Sequence, residues 1–347
     1  MYSIGHSRII GSGIYEPEQV VRSEELMDEI QANEKFGLPT AWLERLTGVK
    51  ERRCAPDDIM PSDMAASAAR TAMDLAHTTA KEIDGIIYCG VIRDYALEPS
   101  TAHAVQSKIG AKRAFAFDIS NACLGFVTAM QVMDSLIATK QVTKGLVVTG
   151  EKGFTFTKRA LTELRAANDR AVFDDLFAGM TLGDAGAAVV MEKKKSVASG
   201  IVGFNSLSQG EYANLCYCGS TTEVGALHTD MTSIVGVSTT LGKSVFRGLL
   251  NDKLKWEITD IDRYIPHQVG KITFKIHSEE LGVPLNKMSN SITHYGNLIS
   301  ATLPFNLHRL QCAQPIEEGE KIFMAGAGSG ICAGHIGMIW DAPNTMH

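Results

Sequence analysis

The sequence predicts an α/β protein built from two similar halves that share one core. Three observations predict it. Helical and strand-like apolar patterns alternate along the chain, a weak internal repeat runs at an offset near 177 residues (Gly145 against Ile322), and no low-complexity or linker-like stretch interrupts the pattern. Residues 82–90 and 260–268 are each an acidic start followed by an apolar strand. Each follows a helical pattern, over 62–75 and 239–254, in which apolar residues recur at three and four positions. The third match sets the strand 145–151 against 322–328. Alternating helices and strands in each half imply mostly parallel strands covered on both faces. The first half is read as residues 1–196, closing with a strand at 183–191 and a turn out at 193–196, and the second as 197–347. A mainly helical insertion is expected over 154–176, rich in Arg, Glu and Leu and without proline, where it would cover a site or build an interface.

Composition narrows the function classes. With 347 residues, 45% of them apolar and 21% charged, the chain can bury one large core or two fused ones, which excludes a disordered protein. A net charge of −6 and no basic run longer than Lys193-Lys194-Lys195 argue against a nucleic-acid surface. Seven cysteines, odd in number and without framework spacing, suit a reducing, cytoplasmic setting, and Cys216-x-Cys218 has no second pair with which to hold a metal. The first fifteen residues carry no signal-peptide pattern, and no run of about 18 apolar residues occurs, so no integral membrane segment is expected.

The segment Ser120-Asn121-Ala122-Cys123-Leu124-Gly125-Phe126 places one cysteine between a strand pattern (114–120, read as buried) and a helix pattern (126–136). At a helix start, unpaired N–H groups and the positive dipole end favour thiolate, lowering a thiol from its usual pKa of about 8.5. On this segment alone a buried structural cysteine remains the alternative. His267 follows an apolar strand, where a side chain at the carboxyl edge of a sheet can reach a ligand; a structural histidine is the other reading. Asn297 stands just before a helix, as a site residue or as its cap. Gly326-Ala327-Gly328-Ser329-Gly330 follows a strand and offers closely spaced N–H groups suited to an oxyanion hole. It is no dinucleotide fingerprint, because the glycine spacing differs and 331–340 reads as strand rather than helix. His103, His277 and His294 receive no role.

Taken together, Asn121-Ala122-Cys123-Leu124-Gly125-Phe126, Leu182-Gly183-Asp184-Ala185-Gly186-Ala187, Pro266-His267-Gln268 and Tyr295-Gly296-Asn297 with Ser300-Ala301 resemble the thiolase superfamily. More narrowly, in order and spacing over nearly the whole chain, they resemble the beta-ketoacyl-acyl-carrier-protein synthase III branch of acyl-thioester condensing enzymes. The resemblance implies a duplicated five-layered α/β/α/β/α fold, a homodimer, acyltransferase activity and a Cys-His-Asn triad of Cys123, His267 and Asn297. Cys123 would accept an acyl group from a thioester, with its own N–H and that of Ser329 stabilising the oxyanion. His267 and Asn297 would then hydrogen-bond the carbonyl oxygen of a second thioester as it becomes an enolate. Coenzyme A or carrier-protein pantetheine thioesters are substrates in this scheme, acyl-CoA or acyl carrier protein the partners, and no metal or redox cofactor is expected.

Two segments bear on the second substrate. Trp42 matches a family tryptophan that flanks the coenzyme A adenine, whereas Leu46 stands where the family has an arginine, with Arg45 beside it; a core aromatic is the alternative for Trp42. Arg93-Asp94-Tyr95-Ala96-Leu97-Glu98-Pro99-Ser100-Thr101-Ala102 resembles the olefin-pathway thiolases that join two fatty acyl-CoAs head to head. That likeness, to which the insertion and Asn214-Leu215-Cys216 add and which alkylresorcinol-type and quinolone-type ketosynthases share in part, implies that Glu98 reaches across the dimer and takes the alpha proton. Otherwise Glu98 is a charge at a helix N-terminus. Non-decarboxylative joining of two acyl-CoAs is thereby favoured over use of a malonyl thioester. A non-catalytic partner subunit of a heteromeric synthase and a thioester hydrolase are the competing classes; the presence of Cys123, His267 and Asn297 together weighs against the first.

Overall fold

The computed structural model describes residues 2–219 and 225–341. Its strands are apolar at nearly every position because helices cover both faces of each sheet. Lys144–Lys152 is buried from Gly145 through Glu151, and Asp184–Lys193 from Asp184 through Met191. In the first sheet the strand order is Ser7–Tyr15, Asp184–Lys193, Lys144–Lys152, Gly85–Tyr88, Phe115–Asp118. The second runs Tyr2–Ser3, Gly200–Ser208, Cys332–Ile339, Lys321–Gly328, Arg263–Pro266. Both therefore repeat the same local order, with Gly85–Tyr88 and Lys144–Lys152 in the places of Arg263–Pro266 and Lys321–Gly328, as the repeat predicts.

Five layers result. The helices Gly125–Ala138 and Thr302–Ala313 lie between the sheets, where Phe126, Met130, Leu303 and Leu307 share one cluster with Ile87 and Val147 of the first sheet and Ile265, Met324 and Ile336 of the second. Pro61–Leu75 and Thr101–Ile109 cover the outer face of the first sheet through Ala65, Ala69 and Val105. Met231–Leu249 covers the second through Phe246 and Leu249. The insertion forms two helices, Phe154–Ala166 and Arg170–Leu176, which pack through Leu161, Leu164 and Phe173 against Met27 and Leu43.

Two expectations are corrected. The sheets are mixed rather than mostly parallel: Gly85–Tyr88 pairs in parallel with both its neighbours and Arg263–Pro266 with Lys321–Gly328, but the remaining pairings are antiparallel. The physical reason is clearest at Lys321–Gly328 and Cys332–Ile339, where the short 329–331 connection cannot make the crossover that a parallel pair needs. Phe115–Asp118, read as a buried strand, lies at a sheet edge with Phe115 41% exposed. Ala116 packs towards the outer-helix cluster and Phe117 towards the cluster between the sheets, but the outer row of backbone groups has no partner strand among the described residues.

Candidate active site

The turn Ala122–Leu124 leads from the edge strand into the Gly125–Ala138 helix, so Cys123 sits one short turn before the helix start. Ala122 has φ +45°, a left-handed conformation that costs a side-chain-bearing residue and is held here by its surroundings. Asn121 Nδ2 donates to Thr128 Oγ1 (2.8 Å) and ties the turn down to the helix. Gly125 is required where it stands, since a Cβ would lie 2.3 Å from the carbonyl oxygen of Cys89. The second half meets this turn through the end of Lys321–Gly328. A Cβ on Gly328 would lie 3.0 Å from the Leu124 nitrogen and 3.4 Å from that of Cys123. Glycine thus lets the end of this strand, one residue before Ser329, approach the Cys123 amide, and the Ser329 N–H donates to no carbonyl among the described residues.

Cys123 keeps part of its surface open although it lies deep in the protein, packed with Ile92, Cys218 and Leu227 on a cluster of Phe156, Leu182 and Ile299. Phe156 comes from the insertion, which therefore covers the site. The expectation of a lowered thiol pKa is overturned. Burial pushes the Cys123 thiol well above its usual value, the thiol and carboxyl groups of Cys216, Glu151 and Cys332 push the same way, and only the hydrogen bond from its own N–H opposes them. Desolvation of the thiolate outweighs the pull of a helix dipole that begins only at Gly125.

His267 follows Arg263–Pro266, and its N–H donates to Ala325 O (2.7 Å) on the strand that ends at Gly328. The imidazole is buried, and among the described residues neither ring nitrogen has a hydrogen-bond partner. Burial lowers it to about 4, so the ring is neutral at ordinary pH and carries one donor N–H. Gln268, fully buried, accepts at Oε1 from the N–H groups of Ser291 and Ile292 (2.9 Å each) and donates from Nε2 to Ser289 O (2.9 Å). It thereby pins the segment leading to Asn297 against the strand that carries His267. The Asn297 backbone is fixed by Thr181 O (2.9 Å) and Gly183 N–H (3.2 Å), and its Oδ1 accepts from the Ile299 N–H (2.8 Å). Through Oδ1, Asn297 caps the turn that follows it. The Ala122–Leu124 turn packs on both Ile299–Ala301 and Lys321–Gly328, which brings the Cys123, Ser329 and Asn297 segments into one region.

Glu98 and Trp42 have different surroundings. Glu98 is exposed on a loop with Tyr95 and Leu97, the latter 91% exposed. Trp42 is half-buried, edge-on to Phe173 (5.2 Å) and Phe177 (5.5 Å), with the Arg170 guanidinium 5.6 Å from its ring centre. Two site neighbours escaped the sequence reading. Glu151 is a fully buried carboxylate at the carboxyl end of an otherwise apolar strand, and that position was the available signal. Cys216 lies near Ser329 and Cys123 on a short hairpin (Cys216–Cys218 with Leu227–Thr229) that no pattern in the sequence announces. Among the described residues no cluster of His, Cys, Asp and Glu could hold a metal ion, and no helix is long and apolar enough to cross a membrane.

The buried histidines set an acid limit on stability. His267 and His335 are lowered to about 4 and His277 to about 3, each chiefly by burial. Between the ordinary value of 6.5 and these values the unfolded chain binds more protons than the folded one, so stability is full above pH 6.5 and is lost as pH falls towards 4. The urea midpoint is expected to drop between pH 7 and pH 4; a midpoint constant over that range would contradict neutral burial of these rings.

Two family models match the chain, 3-oxoacyl-[acyl-carrier-protein] synthase III over residues 117–210 and the C-terminal model of the same enzyme over 252–340. The chain is 31% identical to the beta-ketoacyl-[acyl-carrier-protein] synthase III of Ehrlichia canis (strain Jake) over 337 residues, covering 94% of this chain and 97% of that one. Among solved structures it is similar to Xanthomonas campestris OleA carrying a glutamate-to-alanine change, with TM-score 0.91 and 26% identity over 97% of this chain and 99% of that one. It is also similar to a cysteine-to-serine form of OleA with bound lauric acid and lauroyl-CoA, with TM-score 0.90 and 25% identity over 97% of this chain and 100% of that one. Full-length identity, a shared five-layered thiolase-like fold, and family matches that fall on the segments carrying Cys123, His267 and Asn297 make the chain a member of the beta-ketoacyl-acyl-carrier-protein synthase III family, acyltransferases that condense acyl thioesters by Claisen chemistry.

Proposed function

We propose that Cys123 is the nucleophile of a two-step condensation of fatty acyl thioesters, with His267 and Asn297 serving the second step. The observation that carries this reading is the His267 ring. Leaving two buried ring nitrogens without partners is costly, and a bound substrate oxygen would supply the missing acceptor. In the first step the Cys123 sulfur attacks the thioester carbonyl, the coenzyme A or pantetheine thiol leaves with the cysteine proton, and the acyl group stays on sulfur. The amides of Cys123 and Ser329 are the donors for the tetrahedral oxyanion. In the second step the alpha carbon of another thioester loses a proton, its enolate oxygen is held by the His267 N–H and the Asn297 NH2, and the carbon attacks the acyl carbonyl. A carbon–carbon bond forms, the Cys123 thiolate leaves, and a beta-keto thioester results. Trp42 would lie near the nucleotide end of the donor, with Arg170 already over its ring.

For the base, the reading takes Glu98 from a second copy of the chain. Val91, Tyr95, Leu97 and Phe115 are exposed on the same loop and edge strand, an apolar surface that a homodimer would cover. The likeness to a protein solved with lauroyl-CoA supports long-chain acyl-CoA as donor, and likeness to synthase III enzymes supports an acyl carrier protein as the other possible carrier. Seven free thiols fit a cytoplasmic setting.

The test is mass spectrometry of enzyme and products after incubation with a long-chain acyl-CoA alone, then with malonyl-CoA added. Beta-keto product from acyl-CoA alone is the expected result. Acyl-Cys123 that turns over only with malonyl thioester would replace it with decarboxylative condensation, in which carbon dioxide leaves instead of the proton. Free fatty acid without ketone would indicate a hydrolase, and no acyl-Cys123 from any thioester a non-catalytic subunit. Glu98→Ala is expected to lower non-decarboxylative condensation by about 10² to 10⁴-fold while acyl-Cys123 still forms. If Glu98 acts across the dimer, mixing Glu98→Ala with Cys123→Ala protein restores activity, because mixed dimers then hold one complete site. No recovery in demonstrated mixed dimers would place the base within the same chain.

A further inference from the structure

We propose that Glu151 is a positioning residue for the condensation step, acting through the two backbone segments that wall the Cys123 pocket; the inference rests on the function proposed above. Its carboxylate is fully buried at the end of Lys144–Lys152. Oε1 accepts from the Val91 N–H (2.9 Å), the Ser300 N–H (3.3 Å) and the Ser300 hydroxyl (2.5 Å), and Oε2 accepts from the Ile92 N–H (3.2 Å). The Ser300 hydroxyl also lies 2.7 Å from Thr149 Oγ1. No cation pairs with the carboxylate among the described residues, so the charge is held by these donors alone.

The two segments it joins belong to different halves of the site. Ile92 packs with Cys123 on the Phe156, Leu182 and Ile299 cluster, and the chain runs on from Ile92 to the loop that carries Glu98. Ser300 follows Ile299, whose N–H is held by Asn297 Oδ1. One carboxylate therefore sets the distance between the start of the Glu98 loop and the turn that aims the Asn297 amide. It makes no hydrogen bond to the Cys123 or Ser329 amides, the oxyanion donors of the acylation step. The two steps should consequently respond differently to its loss. Glutamine cannot replace it fully, because an oxygen placed for Ser300 and Val91 leaves an NH2 facing the Ile92 N–H, donor against donor.

The experiment measures both steps in the full-length protein: acyl-Cys123 formation by intact mass, and beta-keto product under single turnover from the pre-acylated enzyme. Glu151→Ala is expected to slow condensation by about 10²-fold, the scale of a small misplacement of reacting groups, with acylation changed by less than about threefold. Glu151→Gln should fall between Glu151→Ala and the parent. Equal losses in both steps, or condensation at the parent rate, would overturn the proposal. If Glu151→Ala does not fold, Ser300→Ala, which removes the hydroxyl from the same carboxylate, carries the same criterion. A second readout is independent of turnover. Burial raises the Glu151 carboxyl itself, and where it is ionised its charge raises the neighbouring thiol, so Glu151→Gln should shift the pH profile of Cys123 alkylation by iodoacetamide to lower pH; an unmoved profile would show that no Glu151 charge acts on the thiol. Failure of the parent enzyme to form acyl-Cys123 would instead sink the underlying function, which keeps the two failures distinct.

Discussion

Cys123→Ala is expected to abolish the acyl-enzyme and to lower product formation by about 10⁴-fold or more. The size follows from what remains: the Cys123 and Ser329 amides can still polarise a carbonyl, but no atom in the variant can accept the acyl group, and such residual stabilisation leaves only a small part of the original rate. Intact mass after incubation with acyl-CoA reads the first effect and ketone formation the second. Turnover near the parent rate would move the nucleophile elsewhere, with Cys216, which lies near Cys123 and Ser329, the first thiol to examine. The variant should fold, because the lost thiol lies on a pocket wall that is partly open.

His267→Ala should separate the two steps. The oxyanion donors of acylation are backbone groups on the Ala122–Leu124 turn and at Ser329, to which the imidazole makes no hydrogen bond. Acyl-Cys123 is thus expected to form and accumulate while condensation falls by about 10² to 10³-fold, the usual loss for one oxyanion donor. Because burial holds the ring near 4, condensation in the parent should show no decline on passing from pH 7.5 through 6.5, the pH at which an exposed histidine would gain its proton. An acid limb centred near 6.5 that disappears in His267→Ala would show that the ring titrates normally and works as a charged group. Loss of acylation in the variant would assign His267 to activation of the thiol instead.

Much of this site was legible because its chemistry is local in sequence. Cys123 stands between a strand and a helix, His267 directly follows a strand, and the 326–330 glycines follow another, so each position declared itself through the element preceding it. The offset between Gly145 and Ile322 further revealed that two such sets come from equivalent places in two sheets. What stayed hidden depends on neighbours distant in the chain. The thiol of Cys123 escapes a sequence argument because a helix start can be read from its residues whereas the Cys216, Glu151 and Cys332 groups around it cannot. Phe115–Asp118 reads as buried because alternating apolar residues look alike in a central strand and in an edge strand. Glu151 lay in plain view within 145–151, but its importance arises from Val91, Ile92 and Ser300, which reach it from either side in the chain.

The strand pairings carry a consequence for how the polypeptide is made. Ser7 pairs with Lys193, and Tyr2 pairs with Asn205. During synthesis the first strand must therefore wait, unpaired, until the ribosome has extruded the Asp184–Lys193 strand, and the Gly125–Ala138 helix has no second face to lie against until Lys321–Gly328 and Cys332–Ile339 emerge. Contacts so remote in sequence make folding slow, since long loops must close before any stabilisation is gained. For most of its translation the nascent chain exposes an apolar helix that is wet on one side, the kind of surface chaperones hold until the last strands arrive.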